Sequence, residues 1–359
     1  MFNRLTGLGR ASVPNLVVSQ RMIDRMRTAA DHFIEDETGE AMIGLVVPGT
    51  HTNGVPTIYA LDTISPDDTA VRMMHTFQQG DARQDELIWW LQENWHLQRG
   101  TRRADDSLWA TKWDVPLRYL GDWHKQPGYM IHPSGGDLMT ALDWIADEEN
   151  RAEFLLAPIL TLDHPLAKAG DALNADGIAN HISVPNSDGT SALRIDFWYI
   201  DKRARVFAPI SPVVYPSEQL PLFAPYPWHL VDEARFDEEY KRMQSDGLFS
   251  ALVLWDADGA APLEICFLTA RAGSSQMIIV VTPHDYPTRA PSLRVAPLLP
   301  MRDADKMYDV FKEAWAAARA VDLPLTWLPD LHLVDAIRAY ESHNLTESDA
   351  RASDAEGAS

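Results

Sequence analysis

The chain has 359 residues, room for two domains of ordinary size, and 46% of them are apolar, with 12 Trp and 11 Phe, so packed cores are expected. Lys and Arg number 31 against 52 Asp and Glu, and a net charge of −21 repels phosphate backbones and anionic lipid, which excludes nucleic acid and membrane surfaces as expected partners. Cys266 is the single cysteine, no apolar run nears the roughly 20 residues of a membrane span, and MFNRLTGLGRASVPN lacks the apolar stretch of a secretory signal, so a reducing, cytoplasmic setting is expected.

Met22, Ile23, Met26, Ala29, Ala30 and Phe33 recur at helical spacing and predict an amphipathic helix over 19–33. AMIGLVV (41–47) and PTIYALDTI (56–64) read as an antiparallel strand pair. A second helix over 84–98 carries Leu87, Trp90, Leu91 and Trp95 on one side; the cluster Trp89, Trp90 and Trp95 reads mainly as packing, and an exposed aromatic among them could grip a protein substrate. TRRADDS (101–107) reads as a polar loop, VPLRYLGDW (115–123) as a strand delivering His124, 138–149 as a helix and EFLLAPILTL (153–162) as a buried strand. Residues 163–190 have the turn formers of a surface insertion, and SALRIDFWYI (191–200) resumes strand character. The proline-studded 208–228 marks a domain boundary. Beyond it come a helix near 230–244, strands at 249–255, 263–270 and 276–283, and helices near 303–319 and 331–341. From Ser342 the chain is acidic and small, so 343–359 is expected to be a disordered tail.

LGDWHKQPGYMIHPSGGDL (120–138) carries the chemistry. A strand ends in His124, a Pro- and Gly-rich loop follows, and Ser134 and Asp137 stand just before a helix. Imidazole, carboxylate and an open position for water are what a catalytic metal site needs, and Glu37, ahead of a strand in ETGEAMIGLV, offers a carboxylate to take a proton. The same Ser134 and Asp137 also have the pattern of a helix cap.

In order and spacing these segments resemble the JAB/MPN (JAMM) metalloproteases, zinc-dependent isopeptidases acting on ubiquitin or ubiquitin-like modifiers. The matching positions are Glu37, His124, Pro127, Ser134, Asp137 and Leu138, with ten residues between position 126 and Asp137, and the likeness spans residues 15–215. It implies a cytidine-deaminase-like mixed α/β sheet with flanking helices. It also implies zinc on His124 and Asp137, Glu37 as general base and Ser134 as oxyanion donor. The chain departs from the family at Gln126, where a second zinc-binding histidine belongs; an amide oxygen is a poorer zinc ligand, and His132 is the candidate substitute.

QMIIVVTPHDYPTRAPSLRV (276–295) and WLPDLHLVDAIRAY (327–340) resemble the α+β ubiquitin-conjugating-enzyme fold across 228–342. No cysteine follows the proline turn, and Cys266 lies before it among apolar neighbours, so the likeness is to the non-catalytic, UEV- or RWD-like binding members. Together the resemblances imply a metal-dependent isopeptidase or peptidase that processes a ubiquitin-like modifier in a bacterial ubiquitin-like pathway. The second domain would dock the modifier or its conjugation machinery, and the negative charge would suit basic partner surfaces. The alternatives are a pseudoenzyme scaffold that lost its metal through Gln126, and a hydrolase of small peptide conjugates.

Overall fold

A computed structural model describes residues 13–79, 82–104, 108–164, 177–185, 192–257, 259, 261–299 and 306–356. The chain divides into two compact units, Met1–Phe223 and Ala224–Ser359, within the proline-studded stretch.

The first unit opens with β1 (Asn15–Ser19), α1 (Gln20–His32), β2 (Thr38–Val47) and β3 (Thr57–Ile64). A small hairpin of β4 (Val71–Met73) and β5 (Thr76–Gln78) follows, then α2 (Ala82–Ala104), α3 (Leu108–Trp113) and β6 (Leu117–Lys125). α4 (Gly135–Ala146), β7 (Phe154–Leu156), β8 (Ile159–Leu162), β9 (His181–Pro185), β10 (Ala192–Asp196), β11 (Trp198–Asp201), β12 (Ala208–Pro209) and β13 (Pro212–Tyr215) complete it. Eight strands form a mixed sheet in the order β13-β1-β3-β2-β6-β8-β10-β9, and β12-β11-β7 form a smaller one. The Ser19 side chain caps α1 by accepting from the Met22 amide, and Met22, Ile23, Met26 and Ala30 pack on Val18, Met42, Trp123 and Ile195 of the sheet. Burial of Met22, Ile23 and Met26 contributes about 1.5–3 kcal/mol each, which is why the amphipathic period of α1 was readable.

The structure corrects the sequence reading of the first unit at five places. Helix α2 runs on through Ala104, so 101–104 of the run TRRADDS are helix rather than polar loop, and 105–107 lie outside the described residues. The run 153–162 is two strands in two sheets, because Pro158 has no amide to continue a ladder. The run 191–200 likewise breaks at Phe197, whose amide donates to the Asn180 carbonyl at 2.8 Å while Asn180 Nδ2 returns a bond to the Phe197 carbonyl at 3.0 Å. Of 163–190, residues 165–176 and 186–190 lie outside the described residues, but 181–185 form an edge strand rather than an irregular insertion. The beginning of the proline stretch is not linker either: β13 pairs in parallel with β1.

The second unit contains α5 (Trp228–Val231), α6 (Glu233–Ser245), β14 (Leu248–Trp255), β15 (Glu264–Arg271), β16 (Gln276–Thr282), β17 (Ser292–Pro297), α7 (Met307–Ala317), β18 (Arg319–Val321) and α8 (Leu333–Glu356). Its five strands form an antiparallel meander in sequence order. Phe267 and Val280 face a core shared with Met243 of α6 and Leu333 and Ile337 of α8, whereas Cys266, Leu268 and Ile279 face Val310 and Phe311 of α7. Burial on both faces explains the unbroken apolar runs of β15 and β16. The α8 backbone stays helical through Glu356, past Ser342, where a disordered tail is expected from sequence. No described helix is long and apolar enough to cross a membrane.

Tyr286 ties the proline turn to α6: its hydroxyl donates to Glu239, a fully buried carboxylate that also accepts from Arg235 Nε at 2.8 Å and the Leu333 amide at 2.8 Å. Trp327 Nε1 donates to the Pro287 carbonyl at 2.8 Å. Cys266 is fully buried, and desolvation pushes its thiol far above the ordinary range, so it is inert at neutral pH.

His229 is buried with Nδ1 unpartnered, and burial pulls its pKa down to about 4 from the ordinary 6.5. The unfolded chain therefore takes up a proton near pH 6.5 that the folded unit refuses until about pH 4. Stability is complete above that window, falls as the pH is lowered through it, and levels off beneath it. The loss at the bottom is about 3 kcal/mol. His229→Phe, which fits beside Trp228 and Phe236, should flatten this acid limb, as read by urea midpoints between pH 4 and 7.

Candidate active site

Strands β2 and β6 run antiparallel at the centre of the large sheet, pairing Gly39 with His124 and Thr38 with Lys125. Their register slips where Met42 faces Gly121 but Ile43 faces Tyr119, leaving Leu120 as the extra residue of a bulge. Because strand side chains alternate, that extra residue puts Leu120 and Trp123 together in the core while Tyr119, Asp122 and His124 share the opposite wall. This wall floors a cleft of about 1330 Å³ bounded by α2, α4 and β7, and Glu37 and Asp137 line the same cleft.

His124 reaches within 4.0 Å of Asp137, Nε2 to Oδ1. Burial lowers the His124 pKa against the opposing pull of Asp137 and Gln126, which favours the neutral imidazole. Ser134 caps α4 in a reciprocal box: its backbone amide donates to Asp137 Oδ2 at 2.6 Å, and its Oγ accepts from the Asp137 amide at 3.2 Å. The helix-cap reading of Ser134 and Asp137 therefore holds; Asp137 also lines the cleft, with Oδ1 the oxygen turned toward His124, whereas Ser134 is not among the residues that line it.

Glu37 has a raised pKa because burial and then the charge of Asp137 disfavour its ionisation, while His75 and Lys125 oppose that shift. It is held from two sides. Its amide donates to the Met73 carbonyl at 2.9 Å on the β4–β5 hairpin. On the other side, buried Lys125 donates to the carbonyls of Phe33 and, at 2.7 Å, Ile34 in the preceding loop. Arg72 of the hairpin lies 4.5 Å over the Phe33 ring and donates to Thr38 Oγ1 at 3.3 Å. A Cβ on Gly39 would lie 2.7 Å from Phe77 Cε1 and 2.2 Å from the Trp123 carbonyl, so glycine lets the hairpin and strand close on this segment. Glu40 faces the other way, accepting from Thr63 Oγ1 at 2.8 Å and from Ser65, with Trp123 Nε1 donating to Thr63 Oγ1 at 2.9 Å. Of the two glutamates in ETGE, only Glu37 lines the cleft.

The substitute ligand takes another place. His132 is exposed, lies tilted against the Trp198 ring with centroids 4.7 Å apart, and does not line the cleft. Gln126 does not line the cleft either, but its side chain, with a solvent-shielded Oε1, lies against His124, whose protonated form it favours as a hydrogen-bond acceptor. A neutral imidazole, one carboxylate oxygen and the amide oxygen beside that imidazole make a donor set for a single divalent ion that is harder and weaker for zinc than one with two histidines. Among the described residues, no three His, Cys, Asp or Glu side chains gather as a metal-binding group.

Sequence reasoning missed the rest of the wall. Asp122 Oδ1 is shielded from solvent with no donor, and burial raises its pKa to about 6 against the opposing effects of Tyr119 and Gln79. Its sequence signal is Gly121, the glycine that permits the bulge and so turns Asp122 toward the cleft. Of the tryptophans on α2, Trp90 and Trp95 are buried and Trp89 is exposed.

No protein-family description matches the chain, and no curated protein is significantly similar to it. Among solved structures, the solution structure of protein DSY2949 from Desulfitobacterium hafniense aligns with 56% of this chain and 93% of its own, at 12% identity and a TM-score of 0.31, a likeness too low to bear on fold or function.

Proposed function

We propose that the chain is a JAMM-like, metal-dependent isopeptidase or peptidase acting on a ubiquitin-like modifier, with 228–342 as a ubiquitin-conjugating-enzyme-like domain that docks the modifier or its conjugation machinery. The observation that carries this reading is the convergence of Glu37, His124 and Asp137, from three separate segments, on one cleft. His124, Asp137 and Gln126 would hold the ion, which when bound would polarise the scissile carbonyl and acidify water. Glu37 would accept the proton from the attacking water and return it to the leaving amine. The Ser134 hydroxyl, which accepts from the Asp137 amide at the rim of α4, would offer its own proton to a developing oxyanion. In the second unit, the packing of Tyr286, Pro287 and Trp327 supports the conjugating-enzyme-like reading, and the inert Cys266 supports a binding role.

Gln126 favours a second reading, a scaffold that binds the modifier without cutting it. Metal content of the purified protein, followed by cleavage of a modifier fusion with and without chelator, separates the two. The enzyme reading expects a bound divalent ion and chelator-sensitive cleavage; their joint absence leaves the scaffold. Gln126→His should tighten zinc binding at least about tenfold, measured by competition with a chromogenic chelator. Unchanged affinity would remove position 126 from the ligand set.

A further inference from the structure

Strand β14 is one outer edge of the five-stranded sheet and pairs with β15 alone. Alternate residues of an edge strand turn their amide and carbonyl away from the sheet, and an uncovered row of such groups is a template for another strand. Proteins normally blunt these edges with charges, prolines, bulges or short strands. The opposite edge of this sheet is blunted, since β18 is only Arg319–Val321 and opens with a charge. So is β13 at one edge of the large sheet, a strand of four residues opened by Pro212. β14 has none of these devices. It runs for eight residues, LFSALVLW, without a charge or a proline, and its register against β15 is unbroken from Leu248 to Trp255. Phe249 and Leu252 are 48% and 37% exposed although their side chains leave on opposite faces, so the edge itself is open.

The chemistry of the strand selects its occupant. β14 gives a charged segment nothing to match; it offers backbone groups and apolar side chains, which is also what a second β14 would bring. A twofold axis perpendicular to the sheet keeps every side chain on its own face, so antiparallel pairing of two copies must match residues whose numbers differ by an even amount. Centred on Leu252, that pairing sets Leu252 against Leu252 and the exposed Phe249 of one copy against Trp255 of the other, an aromatic cross-strand pair. Asp256 then faces Leu248, so no carboxylate opposes another along the seam. We propose that β14 is a homotypic interaction surface, on which a second copy of this chain adds its own β14 and joins the two five-stranded sheets into one. Each copy carries a net charge of −21, so long-range repulsion opposes the pairing and salt screens that repulsion. The surface is independent of the reading of the cleft.

The test is sedimentation equilibrium of the full chain over a wide range of protein concentration, at low and at high salt. A dimer should form and should dissociate less at high salt. Leu252→Lys, at an exposed position, brings two ammonium groups together at the axis and should weaken dimerisation at least about tenfold. Leu252→Glu alone should do the same, and the two variants mixed in equal amounts should recover a heterodimer, because lysine then faces glutamate. Hydrogen exchange of the unmodified chain needs no variant to fold: the outward amides of β14 should gain protection as protein concentration rises. A chain that stays monomeric throughout, a dimer that leaves the β14 amides unprotected, or dimerisation untouched by Leu252→Lys would overturn the surface. A mixture of the two variants no more dimeric than either alone would overturn the pairing centred on Leu252.

Discussion

Gly121→Ala should destabilise the first unit by about 3–5 kcal/mol and erase the site with it. Gly121 sits at φ +122°, in a region that L side chains rarely adopt, and a Cβ there would lie 2.1 Å from the Leu156 carbonyl oxygen. The obstacle is backbone on a neighbouring strand, so no rotamer change relieves it; either β6 and β7 separate or the bulge is lost. Losing the bulge costs more than hydrogen bonds. A one-residue slip would send Asp122 and His124 toward the core and pull Trp123 out of it. The control is Gly128→Ala, at φ +77° with open space around the added methyl, which should cost about 1 kcal/mol. Urea unfolding of both variants, with metal binding measured in parallel, checks the pair. Similar midpoints for the two would mean that the bulge does not depend on glycine.

The same bulge explains where sequence reading succeeded and where it stopped. Helix α1 and strands β2, β3, β15 and β16 were legible because burial imposes a period, and a period survives in residue order. Glu37, His124, Ser134 and Asp137 could be picked out because they flank regular elements at fixed spacing. Breaks within apolar runs were harder to see. Pro158 was visible but offset by the apolar residues around it, and Phe197 ends β10 through a bond to Asn180, 17 residues away in sequence. Asp122 was missed because simple alternation puts it opposite Tyr119, and only the extra Leu120 brings the two to one wall. His132 was a reasonable substitute ligand on sequence distance alone, yet its contact with Trp198 depends on how β11 approaches its loop. Spacing along the chain carries local geometry well and carries such tertiary contacts poorly.

Glu37→Gln should lower kcat/KM for a modifier fusion by about 10²–10⁴-fold, the range for loss of a positioned general base, while leaving fold and metal affinity near wild type. The substitution keeps the shape of the side chain and its backbone bond to Met73, so the hairpin remains in place. What changes is the ability to accept a proton on the cleft wall shared with His124 and Asp137. Glu40→Gln is the informative contrast, three residues along the same motif. Glu40 is buried against Thr63 and Ser65 beneath the strand, so its loss should lower the urea midpoint while kcat/KM of the folded fraction changes much less. If the two variants exchange these behaviours, the strand presents its other face to the substrate and Glu40 is the base. If neither lowers a chelator-sensitive rate, the proton passes through another group and the JAMM-like assignment of Glu37 is wrong. The pair therefore tests the register of β2 against β6 as well as the chemistry, because one residue of slip would exchange the faces on which the two glutamates stand.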